Sequence, residues 1–267
     1  MPIEKIHGVD LYYESHGRGA PLVLIPGFAS GIWSWKYQIG PLARNFQVIV
    51  FDPRGISKST AADGEQTSIG RIADDVSTLL ACLGIAKANI LGISFGGFVA
   101  QDLAIRYPED IDKLVLACTS YGGKGHVPPS MDVLMAFASN KGLNSSERIR
   151  QYLTMAFSPE FVYGSPEIIE DFCLLREQNF VPEQVYTDQL VAATTFDHAE
   201  LVRGIAAETL VLTGDRDVIV PMQNSVNLAE AMPNASLEII RGGSHMFFVE
   251  QHEAFNTAVE QFLLRRK

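Results

Sequence analysis

The stretch "ANILGISFGGFVA", residues 88–100, joins a short apolar run to the start of a helical pattern. The run is typical of a buried strand, and the following helix is predicted to end before Pro108. Between the two, residues 92–96 fit the pattern G-x-S-x-G. Glycine at the outer positions avoids the collision that a Cβ would cause in so tight a turn. A plain turn is the alternative interpretation, but the strand–turn–helix context favours Ser94 as an exposed nucleophile.

Apolar runs on either side of this stretch predict a sheet. The first, "IEKIHGVDLYYESHG", predicts two antiparallel strands that turn near Gly8. Further strands are predicted in "PLVLIPGF", "FQVIVFDPRG", "IDKLVLAC", "ETLVLTG" and "ASLEII". Short buried strands that alternate with helices favour a parallel, doubly wound sheet with both faces covered. The predicted fold class is therefore α/β.

A long helical interruption divides this alternation. From about Tyr121 to Arg203 no strand is predicted, and four segments have helical patterns. The simplest interpretation is a core domain of residues 1–120 and 204–267 with a helical cap, residues 121–203, inserted between two strands. Helices are predicted again from Gln223 to Ala231 and from Phe248 to Arg266.

The composition excludes several classes of partner. The 267 residues are 47% hydrophobic and 19% charged, as in ordinary globular proteins, and the formal net charge is −10. This charge disfavours nucleic acid and anionic membranes as partners. No signal peptide and no spanning apolar run is found, so a cytoplasmic location is expected. Cys82, Cys118 and Cys173 lack metal-ligand spacing and are expected to be buried thiols.

A nucleophilic serine needs a base, and that base needs a carboxylate. His245 lies in the glycine-rich stretch "RGGSHMFF" after the last predicted strand. Ligands and catalytic groups of open α/β sheets gather at this edge, so His245 is the predicted base. Asp215 and Asp217 both follow the strand "ETLVLTG". Because Asp215 directly follows a glycine and is suited to bonding the turn, Asp217 is the predicted acid.

Acyl transfer also requires hydrogen-bond donors for the oxyanion. The backbone amide of Phe95 follows the nucleophile at a predicted helix N-terminus and is one candidate. The amide of Phe28, in the loop after "LVLIPGF", is the other.

The order Ser94, Asp217, His245 is the order of these roles in the α/β-hydrolase superfamily, which the chain resembles. It looks most like the small bacterial esterase, enol-lactonase and cofactor-free haloperoxidase-like branch. The resemblance implies an eight-stranded, mostly parallel sheet with an all-helical cap. The matching segments are "LIPGF", "FDPRGISKS", "GISFGG", "AIRYPEDIDKLVLACTS", "GDRDVIVP" and "GGSHMFFVEQHEAF".

Two positions depart from the family pattern. Pro26 stands where histidine commonly precedes the glycine of the oxyanion loop. Because proline fixes φ and donates no hydrogen bond, the packing of this loop is expected to differ. Ser57 stands where glycine is usual in the R-G-x-G-x-S loop, and a modest structural effect is expected.

The residues and the resemblance together predict a serine hydrolase that cleaves a carboxylic ester or lactone through an acyl-enzyme, without cofactor or metal. The alternatives are hydrolysis of a carbon–carbon bond in a vinylogous diketone, perhydrolysis, and a non-catalytic role as a small-molecule receptor or signalling regulator. Haloalkane dehalogenation is set aside because its nucleophile is aspartate. The oligomeric state stays open.

Substrate choice is assigned to the cap and the oxyanion loop. Aromatic and methionine side chains at helical spacing are candidates for an apolar lining, although such residues also pack the interior of a cap. The candidates are Trp33, Met131, Met135, Phe137 and Phe157. An uncharged, moderately apolar substrate is expected, with Arg54 and Lys124 as the alternatives for binding an anionic one.

Overall fold

A single sheet organises the chain. The computed structural model describes residues 2–61, 64, 66–138 and 145–265, without the side chains of 136–138 and 145. The eight strands of the sheet are β1 Ile3–Ile6, β2 Val9–His16, β3 Ala20–Ile25, β4 Phe46–Phe51, β5 Ala88–Ile93, β6 Ile111–Ala117, β7 Glu208–Gly214 and β8 Ala235–Ile240. They lie side by side in the order β1-β2-β4-β3-β5-β6-β7-β8.

Strands β3 to β8 run parallel, and β1 and β2 add two antiparallel pairings at one edge. The prediction of an eight-stranded, mostly parallel sheet is therefore confirmed. Strand β5 lies between β3 and β6 and is buried along its whole length. Because the carboxyl ends of parallel strands share one edge, the residues after β3, β5, β7 and β8 come together there.

Helices cover both faces of this sheet. Those of the sheet's own layers are α1 Ile39–Leu42, α2 Ile69–Cys82, α3 Phe95–Arg106, α9 Gln223–Ala231, α10 Phe247–Glu250 and α11 His252–Leu264. Alternation along β3 shows how the two layers arise: Leu22 and Leu24 pack into one apolar cluster, and Val23 and Ile25 into the other. Successive side chains of a strand point to opposite faces, so a run without polar residues needs a cover on both sides.

Five helices lie between β6 and β7: α4 Met131–Ala138, α5 Ser145–Ala156, α6 Pro159–Gly164, α7 Pro166–Gln178 and α8 Glu183–Thr195. The described residues of this region hold no strand, only an isolated bridge between Gly122 and Asp197. Helix α6 was not predicted; Ser158 caps it by accepting a hydrogen bond from the Phe161 amide at 3.2 Å. The division into core and cap at residues 121 and 203 stays a prediction.

Two expectations were wrong. The last helix is not continuous from Phe248, because Gln251, with φ −123° and ψ 43°, separates α10 from α11. Its side chain donates a hydrogen bond to the Arg241 carbonyl at 3.2 Å, a distant contact that sequence periodicity does not reveal. Cys82 is exposed at the end of α2, whereas Cys118 and Cys173 are buried as expected. Among the described residues, no helix combines the length and apolarity that crossing a membrane requires.

Candidate active site

Ser94 occupies a strained corner between β5 and α3. Its φ of 51° and ψ of −118° are unfavourable for a residue with a Cβ. The corner is held by two hydrogen bonds: the Ser94 amide donates to the Ala117 carbonyl at 2.8 Å, and the Thr119 hydroxyl donates to the Ser94 carbonyl at 2.9 Å. Such over-determined strain is typical of functional positions.

The two outer glycines of the G-x-S-x-G pattern are sterically required. A Cβ on Gly92 would lie 2.3 Å from the Gly96 carbonyl oxygen, and one on Gly96 would lie 2.2 Å from the Ile25 carbonyl oxygen. Neither distance is tolerated between a carbon and a backbone oxygen. The structure therefore explains why glycine is needed at both positions: the turn between β5 and α3 packs against its own helix and against β3.

His245 and Asp217 form a buried pair in the loops after β8 and β7. The Nδ1 of His245 lies 2.8 Å from Oδ2 of Asp217, and both side chains are almost fully buried. The other carboxylate oxygen accepts hydrogen bonds from the amides of Ile219 and Val220, each at 2.8 Å. Since an ionised carboxylate only accepts, Nδ1 carries the proton and Nε2 is left to act as a base.

Asp215 has a different role. Its Oδ1 accepts a hydrogen bond from the Gly242 amide at 2.6 Å, which ties the loop after β7 to the loop after β8. It therefore braces the backbone that carries His245, while Asp217 contacts the imidazole.

Cys118 connects the serine corner with this pair. It directly follows Ala117, the residue that accepts the hydrogen bond from the Ser94 amide. Its Sγ lies within 4.8 Å of a nitrogen of His245 and an oxygen of Asp217. Burial raises the pKa of the Cys118 thiol well above its usual value, so it stays protonated and packs as an apolar group. The described residues show no hydrogen bond from the Ser94 hydroxyl; such contacts commonly tighten only once substrate is bound.

The loop after β3 lies against the serine corner. A Cβ built on Gly27 would lie 3.7 Å from Cβ of Ser94, and one on Gly96 would lie 2.5 Å from the Pro26 carbonyl oxygen. In the described part of the chain, the amides of Phe28 and Phe95 have no acceptor. Two unused donors beside the predicted nucleophile Ser94 are the arrangement that an oxyanion requires.

The cap reaches this loop directly. Gln189 on α8 is buried, and its Oε1 accepts a hydrogen bond from the Ala29 amide at 2.7 Å. Ala29 has a φ of 49°, so this bond holds a strained residue next to Phe28. Sequence reasoning missed Gln189, because a glutamine in a helical pattern carries no signal for a partner 160 residues away.

The predicted lining residues have different environments. Trp33 is half-buried with its ring 5.9 Å from that of Phe172 on α7, whereas Phe157 is 2% exposed and stacked on Phe161 inside the helical region. Met131 and Met135 are 69% and 60% exposed on α4, so neither lines an enclosed pocket. The side chain of Phe137 lies outside the described residues.

The two cations considered for an anionic substrate have other environments. Arg54 is buried and makes two hydrogen bonds to Asp75, from Nε at 2.8 Å and from Nη2 at 2.7 Å. This pairing neutralises Arg54 within the core, so the alternative that it binds substrate is wrong. Lys124 is exposed in a short 3-10 helix after β6.

Three cap side chains near the site were not predicted: Tyr152 on α5, Arg176 on α7 and Tyr186 on α8. Burial raises the pKa of the Tyr152 hydroxyl far above its usual value, and the nearby charge of Asp217 raises it further. Burial lowers the pKa of Arg176, while Tyr186 and Tyr152 act in the opposite direction. No motif marks these residues, since single aromatic and basic residues on helices are common.

The fold and the gathering of serine, histidine and aspartate at one sheet edge define an α/β hydrolase. Residues 20–251 match the family described as the alpha/beta hydrolase fold, and the chain belongs to that family. A putative carbamate hydrolase, RutD, of Azorhizobium caulinodans is 28% identical over 262 residues, which cover 96% of each chain.

Solved structures agree with this assignment. A hydrolase from Pseudomonas aeruginosa is 26% identical with a TM-score of 0.86, over 99% of this chain and 98% of that one. A thermophilic esterase from Thermogutta terrifontis is also 26% identical, with a TM-score of 0.82 over 98% of each chain. The resemblance to small bacterial α/β hydrolases, noted from the sequence, is therefore confirmed.

Proposed function

We propose that this protein is a serine hydrolase that cleaves a carboxylic ester or a lactone through an acyl-enzyme, with Ser94, His245 and Asp217 as its catalytic triad. The observation that carries the proposal is the buried 2.8 Å contact between His245 and Asp217 beside a serine held at a positive φ. A histidine with a purely structural role would not require a strained serine nearby. A serine that only forms a turn would not require a buried histidine–aspartate pair.

The geometry supports a two-stage reaction. Ser94 Oγ attacks the carbonyl carbon as His245 Nε2 takes its proton, and the amides of Phe28 and Phe95 stabilise the oxyanion. The tetrahedral intermediate expels the alcohol, which takes the proton from His245. Water, deprotonated by the same imidazole, then attacks the acyl carbon on Ser94 and releases the acid. Asp217 orients the imidazole and stabilises its positive charge in both stages.

Ser94→Ala tests this proposal with 4-nitrophenyl butyrate as substrate. The variant is expected to lose at least about 10⁴-fold in kcat, because the nucleophile is absent and the remaining triad cannot replace it. A fluorophosphonate probe should label the wild type and not the variant. Ser146→Ala, an exposed serine on α5, serves as the matched control. Hydrolysis by Ser94→Ala at the wild-type rate would contradict the proposal.

Carbamate hydrolysis is a second candidate, because the RutD relative carries that name at 28% identity over almost the whole chain. It uses the same attack on a carbonyl carbon, so the residues keep their roles. A panel of 4-nitrophenyl esters, lactones and carbamates, ranked by kcat/KM, decides between the substrates. No turnover of any member, with a ligand that raises the thermal midpoint, would instead favour a receptor.

A further inference from the structure

Arg176 lies on the buried face of α7, together with Phe172 and Cys173. It is four residues after Phe172, so the two side chains share one helix face. Phe172 is fully buried, and its ring packs against that of Trp33, five residues beyond Phe28. The face that carries Arg176 is therefore the inward one.

Two tyrosines place Arg176 relative to the candidate active site. Tyr152 and Tyr186 are its electrostatic neighbours. Tyr152 also feels the charge of Asp217, and the ring of Tyr186 lies 4.8 Å from that of Phe28. One neighbour thus belongs to the histidine–aspartate side of the site and the other to its oxyanion side. Arg176 therefore neighbours one residue from each side of the candidate site.

Arg176 has no anionic partner in the described part of the chain. Its guanidinium makes no hydrogen bond or ion pair there, and its half-buried position lowers its pKa. Several other arginines of this acidic protein are paired, among them Arg54 with Asp75, Arg106 with Asp74, and Arg150 with Glu170. An uncompensated cation in a partly desolvated position is unfavourable for the free protein, which makes Arg176 a candidate for binding an anionic ligand.

A second unused donor belongs to Trp33, whose ring packs against Phe172 on the same face of α7. The Nε1 of Trp33 is buried and has no acceptor among the described residues. A buried indole N–H normally has a hydrogen-bond acceptor, so a buried donor without one needs an explanation. Arg176 and Trp33 both contribute donors and no acceptor, which is complementary to a carboxylate.

We propose that Arg176, aided by the indole N–H of Trp33, binds a carboxylate of the substrate, so that the protein acts on esters or lactones that carry a free carboxylate away from the scissile carbonyl. The inference rests on the proposed function and names its substrate class. A guanidinium binds a carboxylate through two parallel hydrogen bonds, which positions the substrate as well as attracting it. The proposed anionic substrate differs from the uncharged one that the sequence alone led us to expect.

The decisive experiment compares two esters that differ only in one charge: 4-nitrophenyl hydrogen glutarate and its methyl ester. The measured quantity is the ratio of their kcat/KM values, charged over neutral. Arg176→Gln should lower this ratio about 10- to 100-fold, the effect of losing charge-assisted hydrogen bonds. The ratio for Arg176→Lys should lie between those of the wild type and Arg176→Gln, because lysine keeps the charge but lacks the paired N–H donors of the guanidinium. Trp33→Phe should lower the ratio a few-fold.

Arg150→Gln is the matched control, since Arg150 lies on the cap surface and pairs with Glu170. Its ratio should equal that of the wild type. The opposite outcome is that both Arg176→Gln and Arg176→Lys keep the wild-type ratio of kcat/KM values while still hydrolysing the neutral ester in a reaction that Ser94→Ala abolishes. That result would refute the carboxylate site and leave the proposed function standing.

Binding without turnover separates the two proposals further. Glutarate should raise the thermal midpoint of Ser94→Ala and not that of Ser94→Ala/Arg176→Gln, while glutaramide should shift neither. That result, with no ester hydrolysed by the wild type, would support the carboxylate site and contradict the proposed function. Equal shifts by glutarate in both variants would refute the site.

Discussion

At the scale of single residues, Asp215 and Asp217 show how two carboxylates in one loop differ in function. Asp217 is buried against His245 and accepts two backbone amides, whereas Asp215 is exposed and accepts one from Gly242. The amide contacts fix the position of the Asp217 carboxylate, so the imidazole orientation follows from the backbone fold of the loop.

This difference predicts different effects for the same substitution. Asp217→Asn should lower kcat by on the order of 10³- to 10⁴-fold, because an amide at this position favours the wrong imidazole tautomer. Asp215→Asn keeps an acceptor for the Gly242 amide and should change kcat less than about twofold. Steady-state kinetics with 4-nitrophenyl butyrate measures both. Equal losses in the two variants would contradict the assignment of roles.

At the scale of elements, the loop after β4 ties the core to the helical region. Ser57, where the family usually has glycine, has a φ of 51°. Its hydroxyl donates to the Asn179 side chain at 2.6 Å, and its amide donates to the Phe180 carbonyl at 3.1 Å. The serine therefore accepts backbone strain and gains a side-chain contact to the segment after α7 that glycine cannot make.

Two substitutions at Ser57 separate the strain from the contact. Ser57→Ala keeps the strain and loses the hydrogen bond, so it should destabilise the protein by about 1 kcal/mol. Ser57→Gly loses the same bond but relieves a strain of about 1 kcal/mol, so it should stay close to the wild type. Urea unfolding measures both. A glycine variant less stable than the alanine variant would show that the positive φ costs nothing here.

The elements were largely predictable from the sequence, and their cross-connections were not. Uninterrupted apolar runs such as β5 define strands because both faces of the sheet are covered. The catalytic candidates were predictable because Ser94, Asp217 and His245 each follow a strand at the same sheet edge. Arg176 was not predictable, because only the folded structure shows that its guanidinium has no anionic partner among the described residues. Gln251, which interrupts the last helix, has a tertiary contact that no local pattern encodes.

At the scale of the whole molecule, a histidine outside the candidate site is expected to affect stability. His198 is half-buried, with its ring 4.3 Å from that of Phe196 and its Nε2 3.5 Å from the Asp102 carboxylate. Burial lowers its pKa even though Asp102 acts in the opposite direction. The unfolded chain, with a histidine pKa of about 6.5, therefore takes up this proton at a higher pH than the folded protein does.

The sign of the pH dependence follows from this order of pKa values. The folded state should lose stability as pH falls below about 6.5, where the unfolded chain binds the proton first. His198→Gln should show a smaller decrease in thermal midpoint between pH 7.5 and pH 5.5 than the wild type. His126, whose pKa burial also lowers, remains in both proteins and leaves part of the decrease. Parallel curves would mean that His198 titrates alike in the folded and unfolded states.

The hydrogen bond from the Ala29 amide to Gln189 has a consequence for protein engineering. Exchanging the helical region for that of another hydrolase is a natural way to transplant a substrate preference. Here such a chimera would also remove the acceptor that holds Ala29, the neighbour of Phe28, at its positive φ. On the proposed mechanism, in which the Phe28 amide binds the oxyanion, a transplanted region without an acceptor at this point would alter the reaction rate together with the substrate preference.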